Sequence, residues 1–77
     1  RKFVCYPNPA ESILHIKSDY DVNTYHLSLV NSQGDVLFQT EVYGKEYQLD
    51  VNPFAKGIYF VLLENEKFSE RQYIVIQ

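Results

Sequence analysis

Apolar and polar residues alternate along most of this chain with a period of two, and turn-forming residues recur about every ten positions. That period places successive side chains on opposite faces of an extended strand, whereas an amphipathic helix requires a period of 3.6. In YHLSLVN, residues 25–31, Tyr25, Leu27 and Leu29 share one face and His26 and Ser28 the other, which predicts a strand with one wet side. NSQG at 31–34 tolerates a tight turn, with Gly34 free to take a positive φ, so DVLFQTEV at 35–42 is expected to return antiparallel and set the register. Short strands are likewise predicted at 3–6 and at 12–17, where Leu14 and Ile16 share a face. A polar loop, SDYDVN, separates these from residue 25, and Gly44 with Lys45 reverses the chain into a fifth strand at 46–51. NPFAKG at 52–57 is a longer connection with room for one helical turn. The unbroken apolar run GIYFVLLE, 57–64, predicts a central strand buried on both faces, and FSERQYIVIQ, 68–77, a closing seventh strand.

Seven short strands without crossover helices predict an all-β fold, an immunoglobulin-like antiparallel β-sandwich forming a single domain over residues 1–77, with a small barrel as the alternative. Composition sharpens this picture. Hydrophobic residues make up 45% of the chain and aromatics 16%, enough for a thin, dense core and rich in strand-favouring side chains. The net charge is −3 and the Lys and Arg residues are scattered, so the basic stripe that a phosphate backbone demands is missing and nucleic acid is not an expected partner. The single Cys5 can form no intramolecular disulfide and reads as a small buried hydrophobe. No apolar run approaches the roughly 20 residues of a membrane helix, so no membrane insertion is expected. A chain opening on Arg1, without a methionine and hydrophobic leader, reads as a fragment cut from something longer.

The candidate chemistry is sparse. His15 and His26 alternate with apolar neighbours and are expected to face solvent from their strands, and they are not spaced as a metal pair. No G-x-S-x-G turn exposes a nucleophile, and Gly34, Gly44 and Gly57 are isolated, so no phosphate cradle forms and no cofactor is expected. Asp19, Asp21 and Asn23 imitate the opening of a calcium loop, but Thr24 stands where the loop needs glycine and Val30 where it needs glutamate; a solvated turn is the expectation, and no metal. Tyrosines 20, 25, 43, 47, 59 and 73 would build a sugar-stacking platform if one exposed face gathered them, although strand packing accounts for them equally. The terminal YIVIQ is uncharged with high β-propensity, so it needs a neighbour inside the domain or outside it.

YPNPA, residues 6–10, has its own physics. Pro7 and Pro9 lack amide donors and restrict the residues before them, which predicts a straight, extended segment suited to an edge strand or a crossing between sheets. Asn8 is expected to cap backbone groups at the bend and to serve the fold.

Taken in order, YPNPA, L-H-I at 14–16, L-V-N-S-Q-G-D-V at 29–36 and G-I-Y-F-V-L-L at 57–63 resemble the type A C-terminal sorting domain of the Bacteroidetes type IX secretion system. The resemblance spans essentially the whole chain. It implies a non-catalytic address carried by an upstream cargo domain, recognised by an outer-membrane secretion translocon after passage through the periplasm. A surface sorting peptidase would then cleave it, and the cargo would be anchored at the surface or released. It implies structural or recognition roles for Pro7, Asn8, Pro9, Gly34, Gly57, Tyr59, Arg71, Ile74, Val75 and Ile76. Family members often carry lysines just before the terminal apolar residues; here Gln72 and Tyr73 follow Arg71. Because RQYIVIQ is uncharged past Arg71, the expected mode of recognition is strand addition at its edge. The competing class is a small carbohydrate-binding or adhesion sandwich appended to a surface enzyme, and an enzyme is the weakest.

Overall fold

A computed structural model of the chain describes residues 3–20 and 23–77. Seven strands follow one another among them: β1 (Phe3–Tyr6), β2 (Ile13–Ser18), β3 (Thr24–Asn31), β4 (Val36–Tyr43), β5 (Glu46–Asp50), β6 (Gly57–Asn65) and β7 (Phe68–Ile76). They form two antiparallel sheets, a three-stranded one in the order β1-β2-β5 and a four-stranded one in the order β4-β3-β6-β7. The inner faces of both sheets contribute to one core, so the fold is a sandwich and not a barrel. Leu14 and Ile16 come from β2, Tyr25, Leu27 and Leu29 from β3, Val61 and Leu63 from β6, and Ile74 and Ile76 from β7. Each fully buried aliphatic side chain of this kind stabilises the fold by about 1.5–3 kcal/mol relative to leaving it in water.

Strand ends agree with the pattern of the sequence to within one residue, but three local expectations give way. The connection at 52–57 contains no helix: Phe54 N–H donates to Val51 C=O at 3.1 Å, closing a single turn. β6 is central in its sheet yet buried on one face only, with Tyr59, Val61 and Leu63 inside, Phe60 and Leu62 half-covered, and Ile58 45% exposed. A two-layer sandwich leaves every outer face without a covering layer, so an unbroken apolar run in β6 fills the core with one half and clothes the surface with the other. The segment after β1 is not straight. Both the Tyr6–Pro7 and the Asn8–Pro9 peptide bonds are cis and the chain bends through residues 7–9, a geometry open to proline because its tertiary amide nearly equalises the two isomers.

The hairpin between β3 and β4 is specified by its own side chains. Gly34 N–H donates to Asn31 C=O at 3.0 Å, Asn31 N–H to Asp35 C=O at 3.0 Å, and the Asn31 Oδ1 accepts from the amides of Gln33 and Asp35 at 3.0 and 2.9 Å. Gly34 takes φ 92°, the left-handed residue that ends this type of three-residue loop. A register shift follows at Leu29/Val30, where Leu37 is the extra residue on β4.

Among the described residues, one buried side-chain oxygen or nitrogen is unmatched. The Tyr25 hydroxyl is buried without a hydrogen-bond partner, and burial, followed by the neighbouring Cys5, raises its pKa. An unpaired buried hydroxyl costs about 1–3 kcal/mol. Tyr25→Phe is therefore expected to leave stability unchanged or to raise it, read as an unchanged or higher urea midpoint. A loss above about 1 kcal/mol would reveal a partner for that oxygen.

Candidate functional site

The prominent sequence motifs converge on one end of the sandwich. Gly57, at the start of β6, pairs with Ile76, at the end of β7. Tyr59 pairs with Asn31 at the end of β3, and Ala10 forms a parallel bridge to Ile76. The bend at 7–9, the 31–35 hairpin, the 52–57 turn and the terminus of β7 therefore share one end of the domain.

The bend is tied to β7 by a regular pattern of hydrogen bonds. Ala10 N–H donates to Val75 C=O and Gln77 N–H donates to Ala10 C=O, both at 2.8 Å, which is how a parallel ladder pairs residue 10 with residue 76. Two residues earlier a side chain takes over: Asn8 Nδ2 donates to Tyr73 C=O at 3.2 Å and Val75 N–H donates to Asn8 Oδ1 at 2.9 Å. The Asn8 carboxamide thus occupies the place of a peptide unit opposite Ile74, with its N–H and C=O aimed as a neighbouring strand would aim them. Pro9 has no amide to offer, and the Asn8 side chain provides the donor and acceptor that the proline segment lacks. The edge strand or crossing between sheets expected from YPNPA gives way to an excursion: the chain leaves β1, bridges at Ala10 to the edge of the other sheet and returns to its own sheet as β2. Strand addition centred on Val75 is blocked in this state, because the successive outward groups Tyr73 C=O, Val75 N–H, Val75 C=O and Gln77 N–H are already bonded.

The other motif residues divide by burial. Ile74 and Ile76 are core side chains, Tyr59 is buried with its hydroxyl donating to Ala55 C=O, and the Phe54 ring meets Tyr59 edge-on at 6.5 Å. Gly57 has φ 152° with open space where a Cβ would stand, so its backbone angle and not crowding selects glycine. Pro7, Asn8, Pro9, Gly34 and Arg71 are exposed, and Val75 is half-buried on the outer face. The hairpin residues 31–33 and the 53–59 segment line an open cleft of about 480 Å³. Gly34 and Arg71 share a smaller one of about 180 Å³ with Val30, Phe60 and Leu62.

β7 carries Tyr73 and Arg71 onto the outer face of the four-stranded sheet. Tyr73 stands opposite Phe60 with ring centroids 5.9 Å apart, and the Arg71 guanidinium sits 5.2 Å from the Phe60 ring centre. Val30 and Val36, on the neighbouring strands, continue this row, and Ile58 with Val75 flanks it. The patch is apolar with a cationic rim, on a face that no second layer covers. Sequence inspection missed Asn31, Ile58 and Phe60 as members of this end. Asn31 carried a usable signal, an asparagine two and four residues before the amides it caps; Ile58 and Phe60 were hidden inside the apolar run.

The remaining candidates are dispersed. Tyr20, Tyr25 and Tyr59 are buried and Tyr47 packs on the core, while exposed Tyr43 and Tyr73 lie on the two edge strands of one sheet, so the described tyrosines form no common platform. Cys5 is a free thiol whose burial pushes its pKa up to about 12, which leaves it unreactive at neutral pH. Of the calcium-loop positions, Asp21 lies outside the described residues. His15 stacks on Tyr6 at 5.1 Å on the outer face of the three-stranded sheet.

His26, on the outer face of β3, directs both ring nitrogens at acceptors. Nδ1 lies 2.9 Å from Glu41 Oε1 and Nε2 3.1 Å from Gln39 Oε1, so both nitrogens donate when the ring is protonated. Its pKa is raised, first by the hydrogen bond to Glu41 and then by that to Gln39, against a cost of partial burial, with the charges of Glu41 and Glu64 adding to the rise. A value higher folded than unfolded means the stabilisation is complete below about pH 6.5 and is lost as pH climbs through the raised value. His26→Asn is expected to lower the urea midpoint more at pH 5.5 than at pH 8.5; an equal loss at both would show that the charge does not matter.

Two comparisons with known proteins bear on this arrangement. The family model described as a secretion system C-terminal sorting domain matches residues 4–77. Among curated proteins, none matches the chain.

Proposed function

From the premise that this chain belongs to the family of secretion system C-terminal sorting domains, the type IX signals its motifs resemble, we propose that it is a non-catalytic label carried at the end of an exported cargo protein. Membership implies contact with the type IX machinery and export toward the cell surface or the medium. In this proposal the labelled cargo crosses the periplasm and the outer-membrane translocon receives it. A surface sorting peptidase then removes the domain, and the cargo is attached to the surface or released.

The observation that carries the proposal is the family match over residues 4–77, and the gathering of its motif positions at one end of the sandwich supports it. The geometry favours a particular mode of recognition. Ile74 and Ile76 are inside the core and four successive outward backbone groups from Tyr73 C=O to Gln77 N–H are occupied, which favours a receptor that meets the folded domain through side chains. The apolar row of Phe60, Tyr73, Ile58 and Val75, with Arg71 at its rim, offers the contiguous exposed surface for this.

The test is a fusion of these residues behind a periplasmic reporter in a host with a working type IX system. Tyr73 and Ile58 are 49% and 45% exposed, so Tyr73→Ser with Ile58→Ser changes the surface while sparing the core. The expected result is a folded domain whose reporter stays in the periplasm. Export at the unmodified rate would reject recognition through this face, and failure of the unmodified fusion to export would reject the sorting role itself.

A further inference from the structure

The bonds between Asn8, Ala10 and β7 solve a problem that the sequence of β7 creates. β7 is an edge strand, and its last residues, YIVIQ, carry no charge and favour extended structure. Edges of this composition recruit other strands, and natural sheets protect them with charges, bulges, prolines or a covering segment. β7 has no charge between Arg71 and its end, and its pairing with β6 runs without a register shift, so neither of the first two devices protects 73–77.

We propose that residues 8–10 are a built-in edge cap whose task is to keep β7 from pairing with β7 of a second copy of this chain, and that the Asn8 carboxamide is its decisive group. Three observations point there. Asn8 and Ala10 bond the successive outward groups Tyr73 C=O, Val75 N–H, Val75 C=O and Gln77 N–H, which are the ones an incoming strand would use. They do so with two residues that each follow a proline, so the segment that covers the edge offers little ladder of its own for further addition. A second copy fits the uncapped edge because two identical uncharged strands related by a two-fold axis pair antiparallel and satisfy each other's outward groups symmetrically. Asn8 has no role in that pairing except to occupy its site.

The experiment compares the isolated domain with its Asn8→Ala variant by light scattering after size exclusion and by amide exchange. The unmodified protein is expected to be monomeric, with slow exchange at Val75. Asn8→Ala is expected to raise Val75 exchange at least tenfold at low concentration, to leave Gln77 protected by Ala10, and to dimerise as concentration rises. Val75→Lys added to Asn8→Ala sets like charges near one another across such a dimer, and monomers should return. Should Asn8→Ala fail to fold, Asn8→Asp serves in its place, since it keeps the acceptor for Val75 and loses only the donor to Tyr73. Its dimers should be weaker and should also vanish with Val75→Lys. The proposal is overturned by unchanged Val75 exchange, by an uncapped variant that stays monomeric, by dimers that survive Val75→Lys, or by an unmodified domain that already pairs through β7. Each readout is independent of export, so the sorting role stands or falls separately.

Discussion

Ile74→Ala is expected to remove about 2–5 kcal/mol of stability, the cost of deleting a buried isoleucine and leaving part of its volume empty. Ile74 is fully buried, pairs with Tyr59 across the ladder and lies in the strand that closes the core. A domain of 77 residues has roughly 4–12 kcal/mol in all at the usual 0.05–0.15 per residue, so this one change takes a large share of it. Urea denaturation should show a lower midpoint with an unchanged slope, because the folded and unfolded surfaces are otherwise the same. A loss under about 1 kcal/mol would mean that the terminal strand is not packed as described. Deleting 73–77 removes Ile74 together with Ile76 and strips the partners from Asn8 and Ala10, so that truncation is expected to leave no stable fold. Export lost by such a truncation reports unfolding, and only surface variants such as Tyr73→Ser separate recognition from stability.

What the sequence displayed well was local. A period of two along 25–31 and turn residues at Asn31–Gly34 act between neighbours in the chain, and the strands they predict are present with their ends nearly in place. The four motif stretches were equally visible, three of them because they mark places where the backbone needs a proline, a glycine or a capping asparagine, and L-H-I because it alternates as a strand. What stayed hidden depends on partners far apart. Asn8 meets Val75, 67 residues away, and no pattern near residue 8 states which strand edge its side chain will face. β6 misled for a related reason: an apolar run reports that a strand is greasy, while the number of layers around it decides how many of its faces are buried. The outer-face row of Ile58, Phe60 and Tyr73 is a product of that two-layer architecture, and Ile58 and Phe60, read as buried in the sequence, became part of the surface proposed for recognition.

Tyr59→Ala carries the other large effect, expected at about 3–5 kcal/mol for loss of a buried aromatic ring. Its comparison with Tyr59→Phe divides two jobs held by one residue. The ring fills the core beneath the 52–57 turn and meets Phe54, while the hydroxyl holds that turn through Ala55 C=O. Phenylalanine keeps the first job and drops the second, at a cost of about 1 kcal/mol for one hydrogen bond. The phenylalanine variant should therefore stay folded with faster amide exchange confined to 52–57, whereas the alanine variant should unfold at a much lower urea concentration throughout. Equal losses from the two would place the whole contribution in the hydroxyl and contradict the packing. The pattern G-x-Y then has a physical meaning at this end of the sandwich. Gly57 supplies the backbone angle that starts β6, and Tyr59, the next residue on the inward face, anchors the turn that Gly57 ends. The wall of the larger cleft is set by that anchor, so a change in export by Tyr59→Phe, with the fold intact, would bring the 52–57 turn into the surface that the secretion machinery reads.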